Sequence, residues 1–103
     1  MPRTRTTRHH PVHPGEILRE EFLVPLGISM CRLAKDTGMP ADRVGRLVQG
    51  TRAFSADTAL RLAVYFKTSA EFWMNLQARY DLEVARDSRA TKAITRIRPY
   101  KAA

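Results

Sequence analysis

MCRLAKDTGMPADRVGRLVQ, residues 30–49, decides the fold. It reads as helix, tight turn, helix. Ala34 is small where two helix backbones must approach closely, and Gly38 follows four residues later where the turn needs a positive φ. Val44 lies ten residues after Ala34, where a branched apolar side chain packs back onto the first helix, and Leu33 and Leu47 close the little core. The alternative reading, an ordinary helical hairpin, uses the same residues but does not require all of these positions together. Ser29 offers an N-cap for a helix over residues 29–36, and Pro40 opens a second over 40–49 that Gly50 ends.

Working outward, Pro14 suits the first position of a helix, and Ile17, Leu18, Phe22 and Leu23 recur at helical spacing until Pro25 and Gly27 interrupt. That predicts helix one over residues 14–24. On the other side, Ser55 caps a helix over 56–67 with Ala59, Leu60, Leu62, Ala63 and Phe66 as its apolar face. Ser69 caps a longer one running through Phe72, Trp73, Leu76, Tyr80 and Val84 to near Asp87. Phe72 and Leu76 are assigned to the core, and Trp73 stays open between core and a dimer surface. Ile94, Ile97 and Tyr100 are too sparse for a strand. The spacing therefore predicts an all-α domain of five helices over residues 14–86, with a basic N-terminal arm, 1–13, and a basic C-terminal tail, 87–103.

A chain of 103 residues fits one hydrophobic core, and 44% apolar with 27% charged residues is ordinary for a soluble globular protein. No apolar run approaches the roughly 18 residues of a membrane helix, and the first residues lack the apolar stretch of a secretory signal, so a cytoplasmic protein with no membrane partner is expected. The single cysteine, Cys31, excludes an internal disulfide and reads as a small packed side chain. The net charge of +8 is concentrated at the ends. Arg3, Arg5 and Arg8 stand without an acid in the first arm, and Arg89, Lys92, Arg96, Arg98 and Lys101 face only Asp87 in the tail. Polycationic arms on a nearly balanced domain point to nucleic acid.

Chemistry of other kinds is poorly supplied. His9, His10 and His13 lie on a Pro-containing arm without a fourth ligand, so no metal site is expected, and no cofactor motif is present. Residues 14–86 contain no histidine, no Gly-rich phosphate loop and no nucleophile with a general base. No catalytic residues are assigned, and the protein is read as a non-enzyme.

In a helix-turn-helix the second helix enters the major groove of double-stranded DNA, so its outward positions read base edges. Those are Ala41, Asp42, Gly45, Arg46 and Gln49, with Arg43 at the margin. Arg46 suits guanine O6 and N7, Gln49 suits adenine N6 and N7, and Asp42 is placed to hold the Arg46 guanidinium from one turn away. Gly45 is costly inside a helix unless the backbone must come close to DNA. Phosphate contacts are expected from the helix starts at Ser29 and Ser55 and from Arg32, Thr51 and Arg52, with Arg3, Arg5 and Arg8 adding salt-sensitive affinity.

HPGEILREEFL at 13–23, the helix-turn-helix, and SADTALRLAVYFKTSAEFWMNLQARYDLEVA at 55–85 resemble the HigA antitoxin family over residues 13–86. The resemblance implies a lambda-repressor-like domain that forms a homodimer, binds a palindromic operator in its own promoter and neutralises the toxin protein of the same operon, typically a RelE-like ribonuclease. The alternative is a stand-alone repressor with the same fold and no toxin. Met30 and Gly45 depart from residues common in such repressors, which implies a different operator sequence. A ribonuclease that binds RNA is expected to be basic, so the acidic Glu16, Glu20 and Glu21 of helix one are the candidate toxin surface, although they also read as a solvated helix face.

Overall fold

The computed structural model describes residues 11–102, and every regular element among them is a helix. They are α1 (residues 14–26), α2 (Met30–Thr37), α3 (Ala41–Gln49), α4 (Ala56–Phe66), α5 (Ala70–Asp87) and α6 (Ala90–Thr95). Five fall where the apolar spacing put them. The sixth lies in the basic C-terminal tail, where Thr91 Oγ1 donates to the Ala85 carbonyl at 2.9 Å and ties α6 to the end of α5. Arg3, Arg5, Arg8, His9 and His10 lie outside the described residues.

Helix one does not stop at Pro25. It opens over Pro14–Ile17, widens into π turns over Leu18–Leu23 and continues through Val24–Leu26 before Gly27, at φ 66°, ends it. Proline has no N–H to donate, and its ring strikes the carbonyl four residues back in an α-helix. The Val24 N–H instead reaches five residues back to the Arg19 carbonyl, and that wider turn carries the chain past the proline.

The capping signals hold. Ser29, Ser55 and Ser69 accept from the backbone N–H of Arg32, Thr58 and Phe72 at 3.0, 3.3 and 3.0 Å. Gly38 and Gly50 end α2 and α3 in the left-handed region, at φ 74° and 83°.

The core gathers Leu18, Leu23, Leu33, Ala34, Met39, Val44, Leu47, Phe54, Ala59, Leu62 and Trp73. Trp73 is its centre and is wholly buried, so its place is in the core and not on a dimer surface. Its ring lies 5.0 Å from Phe22 and stacks on Phe54 at 5.9 Å, while Nε1 donates to Thr68 Oγ1 at 2.8 Å. Phe72, expected inside, is 37% exposed, and Leu76 is half-buried. Leu60, expected on the apolar face of α4, points outward, because the neighbouring Ala59 and Leu62 set the inward direction. Cys31, expected to be packed, is exposed. Gln77 is the buried polar side chain of α5: Oε1 accepts from the Phe54 N–H at 2.7 Å and Nε2 donates to Asp81 at 2.9 Å, so the backbone entering α4 keeps its hydrogen bond.

Candidate nucleic-acid interface

The buried stripe of α3, Val44 and Leu47, determines which side of the helix faces out. Ala41, Asp42, Arg46 and Gln49 are exposed. Gly45 is half-buried, yet a β-carbon there would meet nothing within 4 Å, so open space lies over the middle of the helix. Asp42 Oδ2 accepts from Arg46 Nε at 3.0 Å, one helical turn apart. The Arg46 side chain stays 57% exposed in this pair. Arg43 behaves differently: Nη1 donates to Asp57 Oδ2 on α4 at 2.8 Å, and the side chain is only 21% exposed.

The candidate phosphate ligands lie at the ends of these helices. Ser29 and Ser55 are exposed caps, and Arg32 pairs with Asp36 at 3.1 Å. Thr51 backs the end of α3, its N–H donating to the Arg46 carbonyl at 3.0 Å, and Arg52 follows it in the open. A surface cleft of about 520 Å³ brings Ser29 and Met30 at the start of α2 together with Val48 and Gln49 at the end of α3 and Arg19 of α1. Of the candidate toxin residues, Glu21 is exposed, whereas Glu16 and Glu20 are half-buried and Glu20 pairs with Arg19 at 3.2 Å.

Reading along the chain placed His13 at the end of an arm. The structure builds it into the domain. Its Nδ1 accepts from the Gly15 N–H at 2.8 Å, capping α1 directly ahead of Pro14, and its ring meets Tyr80 edge-on at 4.8 Å. The same ring lies over Gly50, the residue that ends α3, where a β-carbon would come within 3.5 Å of it. Gly15 seats its backbone directly against the Leu47 carbonyl of α3. His13, Pro14 and Gly15 thus dock the start of α1 on the end of the outward-facing helix. A signal was present: glycine in the first turn of a helix is unfavourable unless another backbone approaches it.

Burial pulls the His13 pKa below the ordinary value of 6.5, while the Arg52 backbone carbonyl and Asp81 pull more weakly the other way. The native state prefers the neutral ring, which alone can accept from Gly15, so the unfolded chain takes up the proton first as pH falls through 6.5. Stability is therefore full above that pH and declines below it. Melting temperatures at pH 8, 6.5 and 5 should fall in that order for the native chain and more weakly for His13→Asn, whose side chain keeps a cap without titrating. An equal decline in both would place the pH dependence elsewhere.

No family model matches the chain. It is 49% identical over 74 residues to the virulence-associated protein I of Dichelobacter nodosus, covering 72% of this chain and 68% of the relative. To antitoxin HigA-1 of Vibrio cholerae it is 38% identical over 78 residues, covering 76% of this chain and 73% of that one. Among solved structures, the Pseudomonas aeruginosa antitoxin HigA with the higBA promoter superposes with a TM-score of 0.84 at 44% identity, over 89% of this chain and 100% of that one. The alignment with the solved relative takes in the whole of that protein, and the helical order, the turn glycines and the outward face of α3 are those of a helix-turn-helix protein. The chain belongs to the HigA family of helix-turn-helix antitoxins.

Proposed function

We propose that the chain is an antitoxin that dimerises on a palindromic operator in its own promoter and neutralises a RelE-like ribonuclease encoded beside it. The observation that carries the DNA half is the exposed face of α3, where Asp42 holds Arg46 and open space lies over Gly45. A related antitoxin in complex with promoter DNA supports it. Arg46 and Gln49 read bases, Asp42 holds the Arg46 guanidinium, Ala41 and Gly45 let the helix approach, and Arg43 stands at the margin on Asp57. The helix starts at Ser29 and Ser55, with Arg32, Thr51 and Arg52, take phosphates. One recognition helix buries too little surface for tight specificity, so two related by a dyad bind half-sites about 34–36 Å apart, the dimer contact lying on α5, where Leu82 and Val84 are exposed. The toxin meets the acidic face of α1 at Glu16, Glu20 and Glu21, and the site of action is the cytoplasm.

One paired experiment tests both halves. Arg46→Ala should lose about 1–3 kcal/mol on the promoter duplex and relax preference at one base pair, with random duplex nearly unaffected. Equal losses on both duplexes would make Arg46 a phosphate ligand. Glu20→Lys combined with Glu21→Lys should abolish growth rescue when coexpressed with the adjacent gene product, and undiminished rescue would exclude that face.

A further inference from the structure

Arg43 and Arg61 each place a guanidinium N–H on one and the same oxygen, Asp57 Oδ2, at 2.8 and 2.9 Å. Arg61 Nη1 goes on to donate to the Thr37 carbonyl at 2.8 Å. A single carboxylate in the first turn of α4 thereby ties the N-terminal half of α3 to the last residue of α2. Both arginines hold the Asp57 pKa below the usual carboxylate range, Arg43 most of all. The consequence is visible in exposure: the Arg43 side chain is 21% exposed, against 57% for Arg46 and 67% for Arg32.

A carboxylate beside a DNA-binding helix repels phosphate, so its presence there calls for a compensating gain. We propose that Asp57 is a specificity-determining positioning residue, which withholds Arg43 from the phosphate backbone and sets the α3 register so that reading falls to Arg46 and Gln49. The inference rests on the DNA-binding reading above. An arginine released onto phosphate strengthens binding to every sequence alike, since phosphates carry no sequence information. Each added phosphate contact also steepens the dependence of log K on log salt by about 0.9 for B-DNA. Holding Arg43 on the protein removes that indiscriminate contribution and leaves the ratio of operator to random affinity higher.

The test compares the native chain, Asp57→Asn, Arg43→Gln and the double variant, each titrated over a salt series against a duplex carrying the chain's own promoter and a random duplex of equal length. Asp57→Asn should tighten random-duplex binding several-fold, steepen its salt slope by about 0.9 and lower the operator-to-random ratio. Arg43→Gln alone should keep the native slope, and the double variant should return to it. A native slope in Asp57→Asn overturns the inference. So does a steepening that persists in the double variant, which would be the bare loss of a negative charge, or a flattening in Arg43→Gln alone, which would place Arg43 on phosphate already. If the native chain fails to prefer its promoter at all, the DNA-binding reading falls, and the inference with it. The Asp57 side chain is 55% exposed, so the variants should fold, and melting curves check that they do. Should Asp57→Asn unfold, the Arg43→Gln slope still decides.

Discussion

Gly15→Ala is expected to be among the most damaging substitutions in this protein, costing about 3 kcal/mol or more. A β-carbon at this position would be driven into the Leu47 carbonyl oxygen and would sit 2.9 Å from its carbon. The obstacle is backbone inside α3, which cannot swing aside as a side chain does. Relief requires α1 to slide off α3, and that would take His13 off Gly50 and open the apolar contacts of Leu18 and Leu23. At about 4–8 °C per kcal/mol for a domain of this size, the melting temperature should fall by about 12 °C or more. Gly45 provides the internal control. It is also a helical glycine, but open space surrounds its β position, so Gly45→Ala should stabilise the free protein by up to about 1 kcal/mol. The same substitution at two helical glycines is thus predicted to act in opposite directions, and thermal melts of both variants check it. A drop of under 5 °C for Gly15→Ala would mean that α1 moves freely on α3.

Trp73→Ala is expected to cost about 3–5 kcal/mol, the range for emptying a buried aromatic site. The indole is wholly buried among Phe22, Phe54, Phe66 and Phe72, and its removal also strips Thr68 Oγ1 of its donor at 2.8 Å. No neighbour can fill the gap without leaving its own contacts. Phe72→Ala, one residue away on a partly solvated face, should cost much less, on the order of 1–2 kcal/mol. Denaturant midpoints with slopes compared will measure both. If Phe72→Ala proved the more costly, the packing of α5 described here would be wrong.

The sequence alone was sufficient for the serine caps, the turn glycines and the apolar stripes of the helix-turn-helix, which depend on neighbours within a turn or two, although the His13 cap and the π turns before Pro25, equally local, carry no such signal. Residues 30–49 announced the helix-turn-helix because a cap, a positive-φ glycine and an i, i+4 stripe act through hydrogen bonds and packing only a few residues apart. The Asp42–Arg46 pair was legible for the same reason. Helical spacing also locates α4 and α5, but it defines a face only as a broad stripe, so it puts Leu60 and Phe72 at the edge of that stripe inside and leaves Trp73 open. The resemblance carried the family and said nothing about why HPGE is built as it is.

What tertiary structure alone decided are contacts between residues far apart in the chain: the Gly15 backbone on Leu47, the Gln77 side chain on the Phe54 N–H, and Arg43 on Asp57. No periodicity encodes them. Each depends on the angle at which one finished helix meets another, and that angle is set by the collective packing of the core around Trp73. Arg43 is the clearest instance, for its place on α3 suggests a residue turned toward DNA, while the arrival of α4 beside it supplies a carboxylate and turns the guanidinium back onto the protein.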